Sequence, residues 1–480
     1  MHLIHTHSVD IHCSSQDFGN ELHRQLGYLL EKEFYPKLEL LFEKYEYQYH
    51  TWSIDLLDLQ LPKISKKNWK YEIINQSLNQ IEEYLKNNRP VIHSGRVAVI
   101  EESYNLVMNV YYASDLFFKF LRSGVLIENS ISNQLEKVLN EIEVNEEFIK
   151  KLMELFENNS TCLIRWIFSV PDYFKVKVIN LASDFPIQLK SFFLKTIKDT
   201  ESVSQKFFKE SILTLQWIEM IQWADFLIQK TASKNPLFET LFSLSVKYWN
   251  FTSEELIRFF SLIETQIAND KEKGSYFRKE FFAGFKKHIR EDNKIIEASD
   301  TVQNESEMKT VAGDIYFITN AGLIIFHPFL KSLFEQLGLC ENEKWKDTRS
   351  WHKAILLTQY LITGQVNFFE NELILNKILC GFPIEGEVNT KLIINKEEKE
   401  KCHSLLQAVL EHWKTMSSSS IEALRETFLQ REGKLDLSNP YSYELWVEEK
   451  GVDILMAQLP WGIGMIKTPW MENHLTCNWN

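Results

Sequence analysis

Residues 314–339 read DIYFITNAGLIIFHPFLKSLFEQLGL, and within them the chain passes from one periodicity to another. Ile315, Phe317 and Thr319 alternate as side chains on one face of a short strand do. Asn320, Ala321 and Gly322 then turn the chain. Pro328 sits near the start of a helix, where its missing N–H is tolerated. Phe329, Leu333, Phe334 and Leu337 recur at helical spacing as a buried face, and Gly338 closes the helix. Strand, turn and helix in so short a space predict an α+β block.

The same texture continues to the end of the chain. A helix is expected over Trp351–Leu361, ending at Gly364. Another carries Leu373, Leu375, Ile378 and Leu379 and stops at Gly381 and Pro383. Ser419 with Glu422 matches a capping box for a helix through Phe428. Tyr441, Tyr443, Leu445 and Val447 alternate with polar or bulky neighbours and predict a strand. The closing run DILMAQLPWGIGMIKTPWM, Asp453–Met471, concentrates large apolar side chains. Trp461, Met465, Trp470 and Met471 are the candidate anchor residues, to be read as core packing or as a patch for a partner.

Upstream, residues 291–310 read EDNKIIEASDTVQNESEMKT, the most polar and least periodic stretch, and are the expected linker. Residues 97–290 are almost wholly helical in pattern. Leu116, Phe117, Phe120 and Leu121 form one apolar stripe, with Gly124 as its C-cap. Leu213, Trp217, Met220, Ile221 and Ala224 form another. Residues 1–96 read as a small α/β cap: a strand over residues 1–13, a helix from Ser14 or Ser15, a strand over Thr51–Leu61, and a helix over Trp69–Lys86. The expected domains are therefore 1–96, 97–290 and 311–480, joined by the 291–310 linker. The fold class is mainly α, a multi-domain α+β chain with a helical bundle or stacked-helix middle.

Composition agrees with that class. Aromatic residues make up 13% of the chain, whereas Gly (16) and Pro (11) are scarce, which favours packed helices over a strand-rich sandwich. The net charge of −13 argues against a phosphate-tracking surface, so no nucleic-acid partner is expected. The basic run Lys271–Arg290, interleaved with Tyr276, Phe277 and Phe281, reads as an amphipathic helix with a solvated face, or as a docking face for an acidic partner. Six scattered cysteines without a CxxC pair predict free thiols in a reducing compartment. Neither a secretory leader nor a membrane-spanning run is legible, so a cytoplasmic location and no membrane partner are expected.

Catalytic patterns are sparse. No GxSxG, HExxH, GxxxxGK[ST] or GxGxxG motif occurs. The nearest metal-like constellation is His2, His5, His7, His12 and Cys13. A strand would place His12 opposite His5 and His7, so three or four ligands do not converge. Adjacent carboxylates such as Glu101 and Glu102 do not face each other. No enzyme, cofactor or metal is predicted.

Four segments in order carry a resemblance. They are TVAGDIYFITNAGLIIFHPFLKSLFEQLGL (Thr310–Leu339), AILLTQYLITGQVNFFENELILNKILCGFPIE (Ala354–Glu385), LRETFLQREGKL (Leu424–Leu435) and LPWGIGMIKTPWM (Leu459–Met471). Together with HLIHTHSVDIH and TWSIDLLDLQLP near the N-terminus, they resemble the contractile injection system tape measure family. The resemblance implies a structural role in building a phage-tail-like particle, with tube, baseplate or cap subunits as partners, in or alongside the assembling particle. It implies no catalytic residues. A tape measure sets length by its extent, so residues 131–290, with the longest helical signals, are the expected ruler. The turn glycines and dense aromatics point instead to compact domains, and so to a folded assembly factor or chaperone-like adaptor. An uncharacterised cytoplasmic enzyme is the remote alternative.

Overall fold

A computed structural model of the chain describes residues 7, 9, 11, 13, 15–45, 50–53, 57–87, 92–93, 96–97, 105–126, 135–199, 211–228, 235–269, 283–289, 315–439 and 442–479. The architecture is mainly helical, with one five-stranded sheet near the C-terminus. The chain divides into two compact units, 1–115 and 116–480. The expected helical middle is divided, residues 97–115 falling in the first unit and the rest in the second together with the 311–480 block. The expected 291–310 linker and the basic run up to 282 lie outside the described residues.

The first unit holds α1 (Gln16–Leu29), a π turn (Leu30–Phe34), α2 (Tyr35–Tyr45), β1 (His50–Ser53), α3 (Trp69–Asn87), β2 (Ile92–His93), β3 (Arg96–Val97) and β4 (Asn105–Met108). Leu22, Leu29, Phe34 and Leu38 bury against Trp69, Ile74, Ile81 and Leu85. Among the described residues, the strand expected over 51–61 forms at His50–Ser53, paired antiparallel with β4. Leu57 and Leu59 pack on the helices instead of extending a ladder. The strand expected over residues 1–13 falls mostly outside the described residues. His7 lies against the rings of Phe34 and Tyr35.

Helix α4 (Asn109–Ser123) leads into the second unit, where α5 (Leu135–Glu141), α6 (Glu146–Asn158), α7 (Ser160–Ser169), α8 (Asp172–Leu181), α9 (Ile187–Asp199), α10 (Ser211–Ile228), α11 (Asn235–Trp249) and α12 (Ser253–Asn269) follow. Asparagines start two of these helices. Asn145 accepts the N–H of Phe148 at 2.9 Å and Asn159 that of Thr161 at 3.0 Å, each satisfying an otherwise unpaired donor. Helix α10 is predominantly apolar and buried on nearly every side, its polar Gln216, Gln222 and Asp225 included. Trp217, Ile218, Trp223 and Phe226 are fully buried, and α10 is wrapped by α7, α9 and α11. The scarcity of turns is thus matched by an interior of ring contacts, such as Trp166–Trp223 at 5.5 Å and Phe185–Trp223 at 4.8 Å. Each adds about 0.5–1.5 kcal/mol beyond area burial.

The C-terminal part begins with β5 (Ile315–Ile318). The Asn320–Gly322 turn does not lie at the surface. It opens a fully buried 3-10 helix, Ala321–Phe326, because Gly322 lets the Phe428–Leu429 backbone approach where any Cβ would collide with the Phe428 carbonyl. There follow α13 (Leu330–Gln336), β6 (Cys340–Glu341), β7 (Lys344–Trp345), α14 (Thr348–Thr363), α15 (Ile374–Leu379), α16 (Lys396–His412) and α17 (Ile421–Leu424). Ser420, one residue beyond the expected Ser419, caps α17 by accepting the Ala423 N–H at 3.1 Å. Strands β8 (Gly433–Asp436), β9 (Ser442–Val447), β10 (Met465–Ile466) and β11 (His474–Asn478) complete the sheet in the order β10-β11-β9-β8-β5. Only β9 and β11 pair in parallel.

Candidate functional site

The sheet has two unlike faces because side chains alternate along every strand. Tyr316 and Ile318, Leu435, Leu445 and Val447, Leu475 and Ile466 point into the core and are buried. The opposite face is open. Ile315 (40% exposed), Phe317 (47%), Trp446 (37%) and Met465 (69%) lie on it. Register places Phe317 beside Lys434 and Lys434 beside Trp446, with the Lys434 ammonium 5.1 Å from the indole centroid.

Carboxylates bracket this aromatic row. Asp436 stands directly opposite Glu444. Past the other end of the ladder, the Glu448 N–H donates to the Glu432 carbonyl at 2.9 Å, so these two residues also face each other. Hydrogen bonds from Ser438 hold the Asp436 carboxyl below its usual range, the backbone N–H donating at 2.9 Å. Lys450 pairs with Glu448 at 3.1 Å. Like charges directly opposed across antiparallel strands destabilise a sheet.

The four anchor candidates separate. The Trp461 indole donates to the Ile325 carbonyl at 3.0 Å and stands edge-on to Phe329 at 4.8 Å. Beside it, the His327 ring lies 3.0 Å from the Gly462 carbonyl. Trp470 stacks on Trp345 at 4.5 Å, and Trp345 on Trp351 at 6.0 Å. Met471 is buried, its sulfur accepting the Thr468 N–H at 3.4 Å. These three look inward. Met465 alone lies on the open face, since it and Ile466 occupy opposite sides of one strand.

Two buried ion clusters, neither visible in the sequence, hold this region. Arg431 grips Asp453 with both terminal nitrogens, at 2.8 and 2.7 Å, donates to the Glu448 carbonyl, and lies 5.3 Å from the Trp479 ring. Burial raises the Asp453 pKa, but hydrogen bonds from Arg431 and the Lys450 N–H outweigh it and hold the carboxyl low. The second cluster ties the helices to the C-terminal elements. The Arg165 Nε lies 3.2 Å from both Glu370 oxygens, and Nη1 donates to the Leu121 carbonyl at 2.6 Å. Lys377 donates to Glu370 at 2.9 Å and to two carbonyls at 2.8 Å, and Ser169 donates to Glu370 at 2.8 Å. Gly124, at φ +75°, has no room for a Cβ beside this pair. Each charge is saturated by protein partners, so the cluster is built for rigidity and not for turnover.

Among the described residues no group of three or more His, Cys, Asp or Glu side chains converges as a metal site. His2, His5 and His12 lie outside those residues. All six cysteines are free thiols, with Cys13 exposed and the others buried. No described helix is long and apolar enough to cross a membrane.

No curated protein and no solved structure matches the chain. A family model described as contractile injection system tape measure protein matches residues 1–479. The chain belongs to the contractile injection system tape measure protein family.

Proposed function

We propose that this chain works as a folded assembly factor of a contractile injection system, docking a tube, baseplate or cap subunit through its C-terminal sheet, and not as an extended ruler. The observation that carries this reading is the buried Arg165–Glu370–Lys377 cluster. It fastens the helices that would have to extend onto the C-terminal elements. The reciprocal amide pair Gln216–Asn389, at 2.9 Å both ways, repeats the connection. A ruler gains about 1.5 Å per helical residue. The longest described helix of residues 131–290, Ser211–Ile228, has 18 residues and so spans about 27 Å. A compact unit of the second unit's length has a radius of gyration of roughly 21 Å. In this reading Trp461, Trp470 and Met471 hold the sheet in place, and Met465 belongs to the docking face.

The test is an insertion of about 28 helical residues at the exposed Ser183–Asp184 turn, with particle length measured by negative-stain electron microscopy. A folded factor leaves the length unchanged, while deletion of the whole chain abolishes particles. Growth by about 42 Å, the length of the inserted helix, would establish the ruler instead.

A further inference from the structure

We infer that the open face of the C-terminal sheet docks a cationic polypeptide segment, one that carries lysine or arginine beside apolar side chains. The inference deepens the assembly reading, on which it rests, by naming the chemistry of the partner. Three features of the face converge on it.

The first is charge. Asp436 faces Glu444 and Glu432 faces Glu448, and among the described residues no cation forms an ion pair with Asp436 or Glu444. Lys434 already offsets part of the Asp436 charge and Lys450 pairs with Glu448, yet four carboxylates against two ammonium groups leave the face net negative, and a cationic partner supplies the balance. The second is the aromatic row between the pairs. Phe317 and Trp446 stay exposed, with Ile315 and Met465 at the two edges. These give apolar side chains a place to settle. The third is that Trp446 already receives an ammonium group, that of Lys434. That contact marks the indole beside these carboxylates as a place where a cationic side chain packs. The sign excludes nucleic acid and anionic lipid, whose phosphates the carboxylates repel.

A partner lysine set between Asp436 and Glu444 would donate hydrogen bonds to both carboxylates, and charge-assisted bonds are the strong ones. The partner's neighbouring apolar groups would then cover Trp446 and Phe317.

The experiment uses the full chain and a short fluorescein-labelled peptide alternating lysine and valine, followed by fluorescence anisotropy. Its counterpart carries glutamate in place of lysine. Asp436→Asn combined with Glu444→Gln is expected to weaken binding of the lysine peptide by about tenfold or more, the loss of a charge-assisted contact. Binding is measured well below the melting temperature of every variant, so that any stability lost with the charge that Ser438 bonds on Asp436 does not enter the affinity. Glu397→Gln combined with Glu400→Gln, on the exposed side of α16, changes the net charge equally and should leave binding within about twofold. Trp446→Ala should weaken it independently. Equal binding of both peptides, or parental affinity in the Asp436/Glu444 variant, overturns the inference. Peptide binding is read on the purified chain and particle length on particles, so either result can fail without the other.

Discussion

Arg165 and Glu370 lie 205 residues apart in the chain and meet as an ion pair with no solvent on either side. Burial alone would raise the Glu370 pKa, but Arg165 and Lys377 outweigh it and keep the carboxyl ionised. Such a pair adds little net stability over an apolar substitute, but breaking it by removing one partner is costly. Its contribution is therefore to register, since only one docking of the helices on the C-terminal elements satisfies every member.

Glu370→Ala strands Arg165 and Lys377 as unpaired buried cations. The expected loss is about 3–5 kcal/mol of unfolding free energy, measured by urea denaturation. A loss below about 1 kcal/mol would mean that water reaches the cluster.

Gly381 ends α15 at φ +65°, and a Cβ there would run into the Trp470 carbonyl. Gly381→Ala therefore combines backbone strain with a backbone clash. Destabilisation of about 2 kcal/mol or more is expected, with a change in near-ultraviolet circular dichroism as the Trp345–Trp470 stack shifts.

Glu372 gives a pH dependence of definite sign. Burial pushes its carboxyl up to about 7, whereas in the unfolded chain it titrates near 4.3. Between those values the folded state binds more protons. This residue's contribution is therefore fully present below about 4.3 and is lost as pH rises through about 7. Glu372→Gln should abolish that component, so that the stability difference between variant and parent grows from pH 4.5 to 7. Parallel curves for the two proteins would show that the carboxyl is solvated.

Thiol chemistry should divide the cysteines. Burial pushes Cys162 up to about 11 and Cys402 and Cys477 to about 12, and Cys380 is raised as well. Only the thiolate reacts. At pH 8 the native protein should label rapidly at Cys13 alone, and the denatured protein at all six. Mass spectrometry of labelled peptides distinguishes the sites.

Local elements were legible wherever a few neighbouring residues determine them. Glycines 124, 364 and 381 end helices with positive φ, and the alternation through Leu445 and Val447 forms β9. The helix expected over Trp69–Lys86 is α3. Long-range pairings were not legible. Nothing local distinguishes Arg165 or Arg431 from surface arginines, because their carboxylates arrive from other elements. The anchor candidates show the same limit. Composition groups Trp461, Met465, Trp470 and Met471 together, but strand alternation sends Met465 to the other side. The charge pattern of the open face was equally hidden. Glu444 and Asp436 become opposed only once β8 and β9 are in register.

The strand order also bears on how the protein is made. The sheet needs β11, the latest strand in sequence, between β9 and β10. As the chain leaves the ribosome, β5, β8 and β9 can assemble from residues 315–447, but β10 then has no neighbour to join. Until residues 474–478 emerge, the free edge of β9 is an open template for any extended segment. That edge stays open for as long as β11 is not in place. A holdase, or the early arrival of the proper partner, would be of most use during that interval.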